Sequence, residues 1–409
     1  MTSKFTHQIY KGLKMFTILP IKGFIDQIDG FYCNGISAGL KPNGKLDMGF
    51  IYSDTLCDVE AVFTLNKFQA APLVHFQRYP KNFKSNFVLI NSKNANALTG
   101  EEGIIDIDVL FGELSKQFEL SNPIMSSTGV IGNRLPMEKI INGAKSFDLS
   151  SKNGENLSLA IMTTDAYPKT SLYEVILENG QKFKIGAVAK GAGMINPNLA
   201  TMLCFIVTDA SVPRNDMKEM LLKNSKTTFN AISVDGDTST NDTVLLMSNG
   251  KSNAYDKEAF TEALRLVMQD LALLIVSDGE GAKKCVAFEV IGASNDEEAE
   301  IAAKALSNSL LVKTALFGED PNYGRIASTI GASRIECDPT TLTISYNDVI
   351  VYNKGVIVFD KECEIKAGEV LKNDSFKIIC DIGLGNGKFT AYGCDLGYEY
   401  VKINADYRT

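Results

Sequence analysis

The chain has 409 residues, of which 45% are hydrophobic and 22% charged, and this composition is typical of a globular protein with a sizeable core. Its formal net charge of −8 and its scattered lysines and arginines argue against a nucleic-acid partner, because such proteins usually carry a basic face. The clearest uninterrupted apolar run, 271–276, is far too short to span a membrane.

The N-terminal part of the chain predicts short strands before any helix. Residues 1–30 read as a polar leader followed by a turn, without the apolar segment of a secretory signal. Three strands are then predicted at 48–54, 59–65 and 87–91, each bounded by turn residues. The period next becomes helical and predicts a helix over 104–118. Its apolar face consists of Ile107, Leu110, Phe111, Leu114 and Phe118.

Strands and helices continue to alternate through the middle of the chain. A strand with a small-residue turn is predicted at 123–132, and Pro136 is expected to open the following helix. Residues 160–165 read as a strand running into a loop, and two further strands are expected around 173–177 and 183–188. After a strand at 202–207, a helix capped by Asn215 or Asp216 turns three apolar side chains inward. These are Met217, Met220 and Leu221.

The C-terminal part is predicted to be rich in strands. A polar loop at 233–242 feeds a strand at 244–247, and an amphipathic helix carries apolar residues across 260–271. Ser294 to Glu297 forms a candidate capping box for another helix. The last hundred residues are predicted to be mostly strands, up to the tail at 400–409. Without a clean βαβ period, a mixed α+β architecture is favoured over a doubly wound parallel sheet.

The stretch 190–210 joins a glycine-rich approach to a buried strand, with Ala200 and Thr201 between the two. A flexible arm, a small residue and a hydroxyl residue ahead of a rigid strand form a candidate self-cleavage site. A break before Thr201 would give that residue a free α-amino group, so one residue would hold both a nucleophile and a base. An ordinary loop leading into a strand explains the same residues.

Histidine and cysteine usage narrows the chemistry. The two histidines, His7 and His75, lie in a polar leader and in what reads as a strand or loop, so a hydrolase or acyltransferase here is expected to use another base. None of the eight cysteines forms a C-x-x-C pair, and several lie in apolar runs. This pattern favours a reducing cytoplasm and no metal site.

Three polar motifs offer further candidates. Thr128 and Gly129 end a strand in a turn that could aim donors at an oxyanion, although a plain turn accounts for them too. The loop 233–242 resembles a calcium loop, but its glycine is misplaced and no glutamate closes it, so a hydrogen-bonded loop is favoured over a metal site. Glu280 is flanked by glycines, which indicates either a helix stop or a partner for a substrate ammonium. The run 383–388 lacks the spacing and context of a phosphate-binding loop.

Five blocks of sequence in register resemble the ornithine acetyltransferase family, also called glutamate N-acetyltransferases. The blocks are 190–203, 233–242, 278–284, 313–326 and 400–409. The resemblance implies an α+β fold of mixed sheets and helix layers, similar to the N-terminal-nucleophile hydrolases, with a smaller α/β region within 285–409. It also implies a cut between Ala200 and Thr201 into an α chain of 1–200 and a β chain of 201–409, which assemble as an α2β2 heterotetramer.

The same resemblance implies a function and assigns residues to it. A cytoplasmic acyltransferase of arginine biosynthesis would move an acetyl group from N2-acetylornithine to glutamate through an acetyl ester on Thr201. The α-amine of Thr201 would serve as the base, since its pKa near ~7.7–8.0 suits neutral pH. Thr128 and Gly129 would stabilise the oxyanion. The substrate-contacting positions implied are Thr164, Lys190, Thr201, Glu280, Asn404 and Thr409.

No metal or organic cofactor is implied, although acetyl-CoA is a second acetyl donor in the bifunctional members. Neither a nucleic acid nor a membrane is an expected partner. Two alternatives remain from the sequence. One is an aminopeptidase or amidase that uses the same nucleophile with water as the acceptor, and the other is a non-catalytic relative that binds amino acids and stays in one piece.

Overall fold

The computed structural model of the protein describes residues 7–11, 14–196 and 202–406. These residues form two mixed β-sheets with helices packed against them, which confirms the predicted α+β architecture. The strands are, in chain order, β1 (His7–Lys11), β2 (Lys14–Pro20), β3 (Phe31–Ile36), β4 (Met48–Phe63), β5 (Lys84–Asn91), β6 (Ile124–Ser127), β7 (Lys169–Leu177), β8 (Lys182–Lys190), β9 (Leu203–Thr208), β10 (Ile232–Ser233), β11 (Thr243–Ser248), β12 (Cys285–Ala293), β13 (Thr343–Tyr346), β14 (Val349–Asn353), β15 (Val356–Ile357), β16 (Ser375–Asp381) and β17 (Gly387–Cys394).

The helices lie between these strands and at the end of the described chain. None of the described helices combines the length and the apolar character that crossing a lipid bilayer requires. They are α1 (Ala71–Gln77), α2 (Gly100–Leu114), α3 (Met137–Lys145), α4 (Gly154–Ile161), α5 (Arg214–Thr227), α6 (Lys257–Ser277), α7 (Asp296–Asn308), α8 (Leu310–Phe317), α9 (Tyr323–Ala332), α10 (Lys361–Leu371) and α11 (Tyr398–Asp406).

The larger sheet has the strand order β1-β2-β7-β8-β9-β11-β4-β5-β6, and β3 also pairs with β4. Its two middle strands come from the second half of the chain. β9 runs antiparallel to β8 and parallel to β11, and β11 runs antiparallel to β4. The pair formed by β9 and β11 is therefore flanked on each side by a strand from the first half of the chain.

Strand β4 turns the larger sheet into two layers. Its residues 48–53 pair with β3 and its residues 58–63 pair with β11, whereas β5 pairs with it on both sides of the irregularity between Tyr52 and Cys57. One apolar core joins side chains from both ends of this bent sheet, among them Val88 and Ile90 of β5 and Phe205 and Val207 of β9. The two layers therefore face each other across a shared core.

Helices cover the outer face of each layer. On β9 the alternation of side chains sends Cys204 and Ile206 toward the core under α5 and α6, while their odd-numbered neighbours enter the core between the layers. Helices α2 and α3 pack on the outer face of β4 and β5. This burial on both faces explains why β9 reads as a continuous apolar run.

The smaller sheet has the order β10-β17-β12-β16-β13-β14-β15. Helices α7, α9 and α10 pack on one of its faces over a core that includes Phe288, Ile344 and Ile378. The loop from Gly279 to Lys284 links α6 to β12, the next strand along the chain, which belongs to the smaller sheet. The core under α5 and α6 also includes Ile232 of β10 and Cys394 of β17, so the smaller sheet packs against the helices of the larger one.

Several predicted elements differ from those observed in the first half of the chain. Residues 1–30 were predicted to be a polar leader followed by a turn, but they contain β1 and β2, which pair with each other. The separate strands expected at 48–54 and 59–65 are one long strand, β4, because the polar residues between them lie on its bend. Residues 160 and 161 end helix α4 rather than beginning a strand. His75 lies on helix α1, buried beside Asp108 at 3.2 Å, and not on a strand or loop.

Differences in the second half concern helix starts and missed helices. Helix α5 begins at Arg214 after Pro213 without a side-chain cap, although its predicted inward face is buried as expected. The cap of α7 is Asn295, which accepts from the amide of Glu298, so the predicted capping box is shifted by one residue. The last hundred residues contain α8, α9, α10 and α11 as well as strands, so the strand-rich prediction was wrong there.

A buried carboxyl at the end of β9 predicts a pH effect on stability. Asp209 is 7% exposed and accepts a hydrogen bond from the amide of Lys184 at 2.7 Å. Burial raises its pKa from 3.8 to about 6, opposed by Lys184 and aided by Asp29. Because the pKa is higher in the folded state, the protonated Asp209 side chain stabilises the fold at a pH below the pKa of the unfolded state. This stabilisation is lost as the pH rises through about 6.

The Asp209→Asn chain should therefore gain thermal stability relative to the parent as the pH rises from about 4 to 7. The thermal midpoints of both chains, scanned at one heating rate across this range, measure the difference. A difference that stays constant with pH would show that folding does not raise the pKa of Asp209.

Candidate active site

A cavity of about 200 Å³ lies where the middle of the larger sheet meets the loop after α6 and the last helix. Its wall is built from the end of β8, the start of β9, the loop that precedes β11, the loop after β6, the loop after α4 and helix α11. All of the predicted site residues that the structure describes line this one cavity. They are Thr128, Gly129, Thr164, Lys190, Glu280 and Asn404.

The predicted cleavage pair and the predicted C-terminal contact cannot be placed in the same way. Ala200, Thr201 and Thr409 lie outside the described residues. The chain on either side of 197–201 does line the cavity, through Met194 before this segment and Met202 after it. Thr201 is bonded along the chain to Met202, which is a residue of the cavity wall.

Lys190 supplies a buried ammonium to the cavity wall. It is the last residue of β8, is 8% exposed, and donates to the Thr163 hydroxyl at 2.7 Å. Its Nζ lies 3.9 Å from Oδ2 of Asp165. The hydrogen bond to Thr163 holds the ammonium at the wall. The distance to the nearest carboxylate is too long for a strong hydrogen bond.

Asp165 organises the polar groups behind this ammonium. Its carboxylate accepts from the amides of Thr163 and Gly191, at 2.9 and 2.7 Å, and from Lys169 at 2.7 Å. Burial alone would raise its pKa, but Lys190 and Lys169 hold the pKa of Asp165 below its usual range. The carboxylate is therefore ionised at neutral pH and fixes the start of the glycine-rich arm.

Lys169 balances the charge of this buried network. Its side chain is fully buried and its Nζ also lies 2.5 Å from Oδ2 of Asp278, near the end of α6. Removing one member of a buried ion pair leaves an uncompensated charge and typically costs about 3–5 kcal/mol. The network thus ties the loop after α4, the glycine-rich arm and the loop that carries Glu280 into one rigid support.

Glu280 places a carboxylate on another part of the wall. Its Oε2 accepts from the side-chain amide of Asn404 at 2.7 Å, and its backbone amide donates to Ala192 at 2.9 Å. A Cβ at Gly193 would lie 2.5 Å from this carboxylate, closer than real contacts allow. A side chain at 193 would therefore require the carboxylate of Glu280 to move.

Thr128 and Gly129 follow strand β6 and cross in front of the loop at 93–95. The amide of Thr128 donates to Asn91 and that of Val130 donates to Lys93, both at 3.0 Å. Neither of these bonds uses the amide of Gly129, whose φ is +129°. A Cβ here would lie 2.2 Å from the Lys93 carbonyl carbon, so this approach requires glycine.

The loop 233–242 is hydrogen-bonded as expected. Asp235 accepts from the amides of Met194 and Ile195 at 2.6 and 2.9 Å, which fixes the arm just before the undescribed segment. Asn241 donates to the carbonyls of Ala95 and Ser127 at 2.6 and 2.8 Å. In the part of the chain that the structure describes, no three His, Cys, Asp or Glu residues are grouped as a metal site would require.

Sequence reasoning missed the residues that support the predicted ones. Thr163, Asp165, Lys169 and Asp278 form the network under Lys190, and Asp242 lies in the cavity wall itself. A buried lysine at 169 has no local signal, because only the fold brings Asp278 to it. Asp165 and Asp242 could have been noticed as acidic residues beside apolar segments.

Comparison with known proteins identifies one family. The model of the ArgJ family matches residues 32–409 of this chain. Arginine biosynthesis bifunctional protein ArgJ from Wolinella succinogenes is 60% identical over 396 residues, covering 97% of this chain and 100% of that protein. Glutamate N-acetyltransferase from Methanopyrus kandleri is 42% identical over 387 residues, covering 91% of this chain and 97% of that protein.

Two solved structures each align with about half of the chain. A crystal structure of arginine biosynthesis bifunctional protein ArgJ from Bacillus halodurans has a TM-score of 0.48 and 41% identity, covering 50% of this chain and 98% of that chain. Ornithine acetyltransferase complexed with ornithine from Mycobacterium tuberculosis has a TM-score of 0.39 and 30% identity, covering 45% of this chain and 100% of that chain.

Proposed function

The chain belongs to the ArgJ family, and we propose that it is a glutamate N-acetyltransferase of arginine biosynthesis that carries the acetyl group on Thr201. The donor in this proposal is N2-acetylornithine and the acceptor is glutamate. One observation carries the proposal to this chain. A buried ammonium, a carboxylate and a turn that requires glycine line the same cavity, to which Thr201 is covalently attached through Met202.

The charges of the cavity wall fit an acetylated amino acid with a free side-chain amine. Lys190 would bind the substrate carboxylate, since its nearest anionic neighbour, Asp165, is 3.9 Å away and already shared with Lys169. Glu280 would bind the side-chain ammonium of ornithine, oriented by its hydrogen bond from Asn404. Thr164 lies in the same wall, and Thr409 is proposed to complete the contacts.

The first half of the reaction would form the ester. The Thr201 hydroxyl oxygen attacks the acetyl carbonyl carbon, and the α-amine of Thr201 takes the hydroxyl proton. The negative charge that forms on the carbonyl oxygen is stabilised at the Thr128–Gly129 turn. Collapse breaks the bond to the ornithine nitrogen, which leaves as an amine after the α-amine returns the proton to it.

The second half reverses these steps with glutamate. The glutamate amine attacks the ester carbonyl, its proton passes to the α-amine, and the Thr201 oxygen leaves and is reprotonated. The products are N-acetylglutamate and the free enzyme. Because glutamate shares the α-carboxylate of ornithine, Lys190 serves both substrates in the same position.

Further parts of the proposal concern maturation and setting. We propose that the chain cuts itself between Ala200 and Thr201 into chains 1–200 and 201–409, and that these assemble as an α2β2 heterotetramer. Neither a metal nor an organic cofactor takes part, and acetyl-CoA serves as a second acetyl donor. A reducing cytoplasm is the proposed location, which the eight free cysteines support.

Incubating the protein with N2-acetylornithine, with and without glutamate, tests the reaction. Formation of N-acetylglutamate together with ornithine supports acetyl transfer. Release of ornithine at the same rate without glutamate would instead show a hydrolase with the same nucleophile. Neither product from a folded protein would point to a relative that only binds amino acids.

Removing the charge of Lys190 is expected to weaken substrate binding. The Lys190→Met enzyme should show a KM for N2-acetylornithine raised by about 100-fold, because a charge-assisted hydrogen bond worth up to ~3 kcal/mol is lost. The control is Lys182→Met, which removes an exposed lysine from the same strand. Steady-state kinetics of both variants measure the effect, and an unchanged KM for Lys190→Met would remove Lys190 from the substrate site.

A further inference from the structure

Asp242 is a fully buried carboxyl that the transfer mechanism does not use. It precedes β11, lines the cavity and is 2% exposed. Its Oδ2 has no hydrogen-bond partner, while Ser239 stabilises the carboxylate through its hydroxyl and its backbone amide. A buried acceptor without a donor costs on the order of 1–3 kcal/mol, so this arrangement calls for a chemical reason.

The register of the central strands places Asp242 beside Met202, the first described residue after the proposed cleavage point. Strands β9 and β11 are parallel with Thr243 opposite Leu203, and the amide of Thr243 donates to the carbonyl of Met202 at 2.8 Å. Asp242 is therefore the neighbour of Met202 across the sheet. Met202 is the residue to which Thr201 is bonded.

Two of the other acidic side chains in the cavity wall already have partners, and a third, Asp237, is exposed. Asp235 holds the amides of Met194 and Ile195, and Glu280 accepts from Asn404. Behind the wall, Asp165 is shared between two amides and Lys169. Among the described residues of the cavity wall, Asp242 is the one whose buried side-chain oxygen lacks a donor.

The proposed cleavage poses a problem that this carboxyl answers. The base for acetyl transfer is the α-amine of Thr201, which does not exist until the bond to Ala200 has broken. The cut itself therefore needs another proton acceptor next to Thr201. We propose that Asp242 is the catalytic base of the self-cleavage step, an inference that rests on the proposed function.

The step balances without a further reactant except water. Asp242 takes the proton from the Thr201 hydroxyl, and the oxygen attacks the carbonyl carbon of Ala200. The bond from that carbon to the Thr201 nitrogen breaks, and Asp242 returns the proton to the nitrogen, which leaves an ester. Water then hydrolyses the ester and yields a carboxylate on Ala200, a free hydroxyl on Thr201 and its α-amine.

The environment of Asp242 suits a group that takes and returns a proton. Burial raises its pKa well above the usual value, against the hydrogen bonds from Ser239 and the positive charge of Lys190. The other charged or titratable groups at the cavity are Asp235 and Asp237 of the same loop, Glu280 after α6 and Tyr400 of α11. A raised pKa makes the carboxylate a stronger proton acceptor than that of an exposed aspartate.

The test follows cleavage of newly made precursor. The parent, Asp242→Asn and Asp209→Asn chains are made by cell-free synthesis, and the fraction cut is followed over time by denaturing electrophoresis. Asp209 is the matched control, a buried carboxyl with a raised pKa at the other end of β9, roughly 20 Å away along the strand. Loss of the base should slow cleavage of Asp242→Asn by about 100-fold or more, while Asp209→Asn cuts like the parent.

A second variant guards against a folding defect. Asp242→Ala removes the carboxyl, and formate added to the folded chain should restore cleavage, which a purely structural role would not allow. Cleavage of Asp242→Asn at the parent rate, or a folded Asp242→Ala chain that formate does not rescue, would overturn the inference. A parent that cuts normally but transfers no acetyl group would instead refute the proposed function and leave the role of Asp242 standing.

Discussion

Replacing Thr201 with alanine is expected to leave the chain in one piece and without acetyl-transfer activity. Alanine has no hydroxyl to attack the carbonyl of Ala200, so the cut is not made and no α-amine is released. The same hydroxyl is the proposed acceptor of the acetyl group, so both functions are lost together. The intact mass of the purified protein and an assay for N-acetylglutamate measure the two effects separately.

The serine variant provides the control for this result. Thr201→Ser keeps the hydroxyl and the amine, so the chain should still be cut into 1–200 and 201–409 and should retain measurable transfer. Sequencing of the new N-terminus of the parent should read Thr-Met-Leu-Cys. An uncut Thr201→Ala chain that transfers acetyl groups at the parent rate would contradict the proposed mechanism at its centre.

The Gly129→Ala substitution, which adds a methyl group at this position, is expected to lower kcat strongly. The new Cβ would lie 2.2 Å from the carbonyl carbon of Lys93 and 2.6 Å from the amide nitrogen of Asn94. Real Cβ atoms do not approach backbone this closely, so the turn at Thr128–Gly129 must move. Loss of an aligned oxyanion donor typically lowers kcat by roughly 100-fold to 1,000-fold, and Gly129→Ala should fall in this range.

Gly132 offers a matched control in the same loop. It also has a positive φ, +86°, but a Cβ there meets nothing within 4 Å. The Gly132→Ala enzyme therefore carries the backbone strain, of order 1 kcal/mol, without the clash and should keep a kcat close to that of the parent. Rates are compared per cut chain, together with the melting temperatures. Equal losses of kcat in both variants would show that strain, and not the position of the turn, explains the result.

The sequence predicted the fold where local pattern and environment agree. The amphipathic face of α5 and the buried strand β9 were found because their periodicity reflects the cores they enter. Strand β4 was divided in two because a bend with exposed polar residues looks like a turn. The pair β1 and β2 was missed because its pairing depends on β7, which is distant in sequence. Helices α8 to α11 were missed because short apolar runs do not distinguish a helix from a strand.

The candidate site shows a different limit. Local motifs made Thr128, Gly129 and Glu280 candidates, resemblance to a family added Thr164, Lys190 and Asn404, and the fold brings all six to one cavity. Periodicity alone would not have selected Thr164 or Asn404, which lie on a loop and on an exposed helix face. The network of Lys169 and Asp278 depends on residues far apart in the chain. Residues 200, 201 and 409, which carry the proposed chemistry or contact substrate, lie outside the part that the structure describes, and their roles stay predictions.

The strand order of the larger sheet bears on whether the chain folds before or after the proposed cut. Strands β9 and β11 belong to the piece that would begin at Thr201, yet each is hydrogen-bonded to a strand of the other piece, β8 and β4. With the proposed self-cleavage, the sheet would assemble while the polypeptide is still continuous, and the two products of the cut would remain interleaved. Once unfolded, a cut molecule would have to find its partner again by diffusion, so its denaturation should be far harder to reverse than that of the precursor.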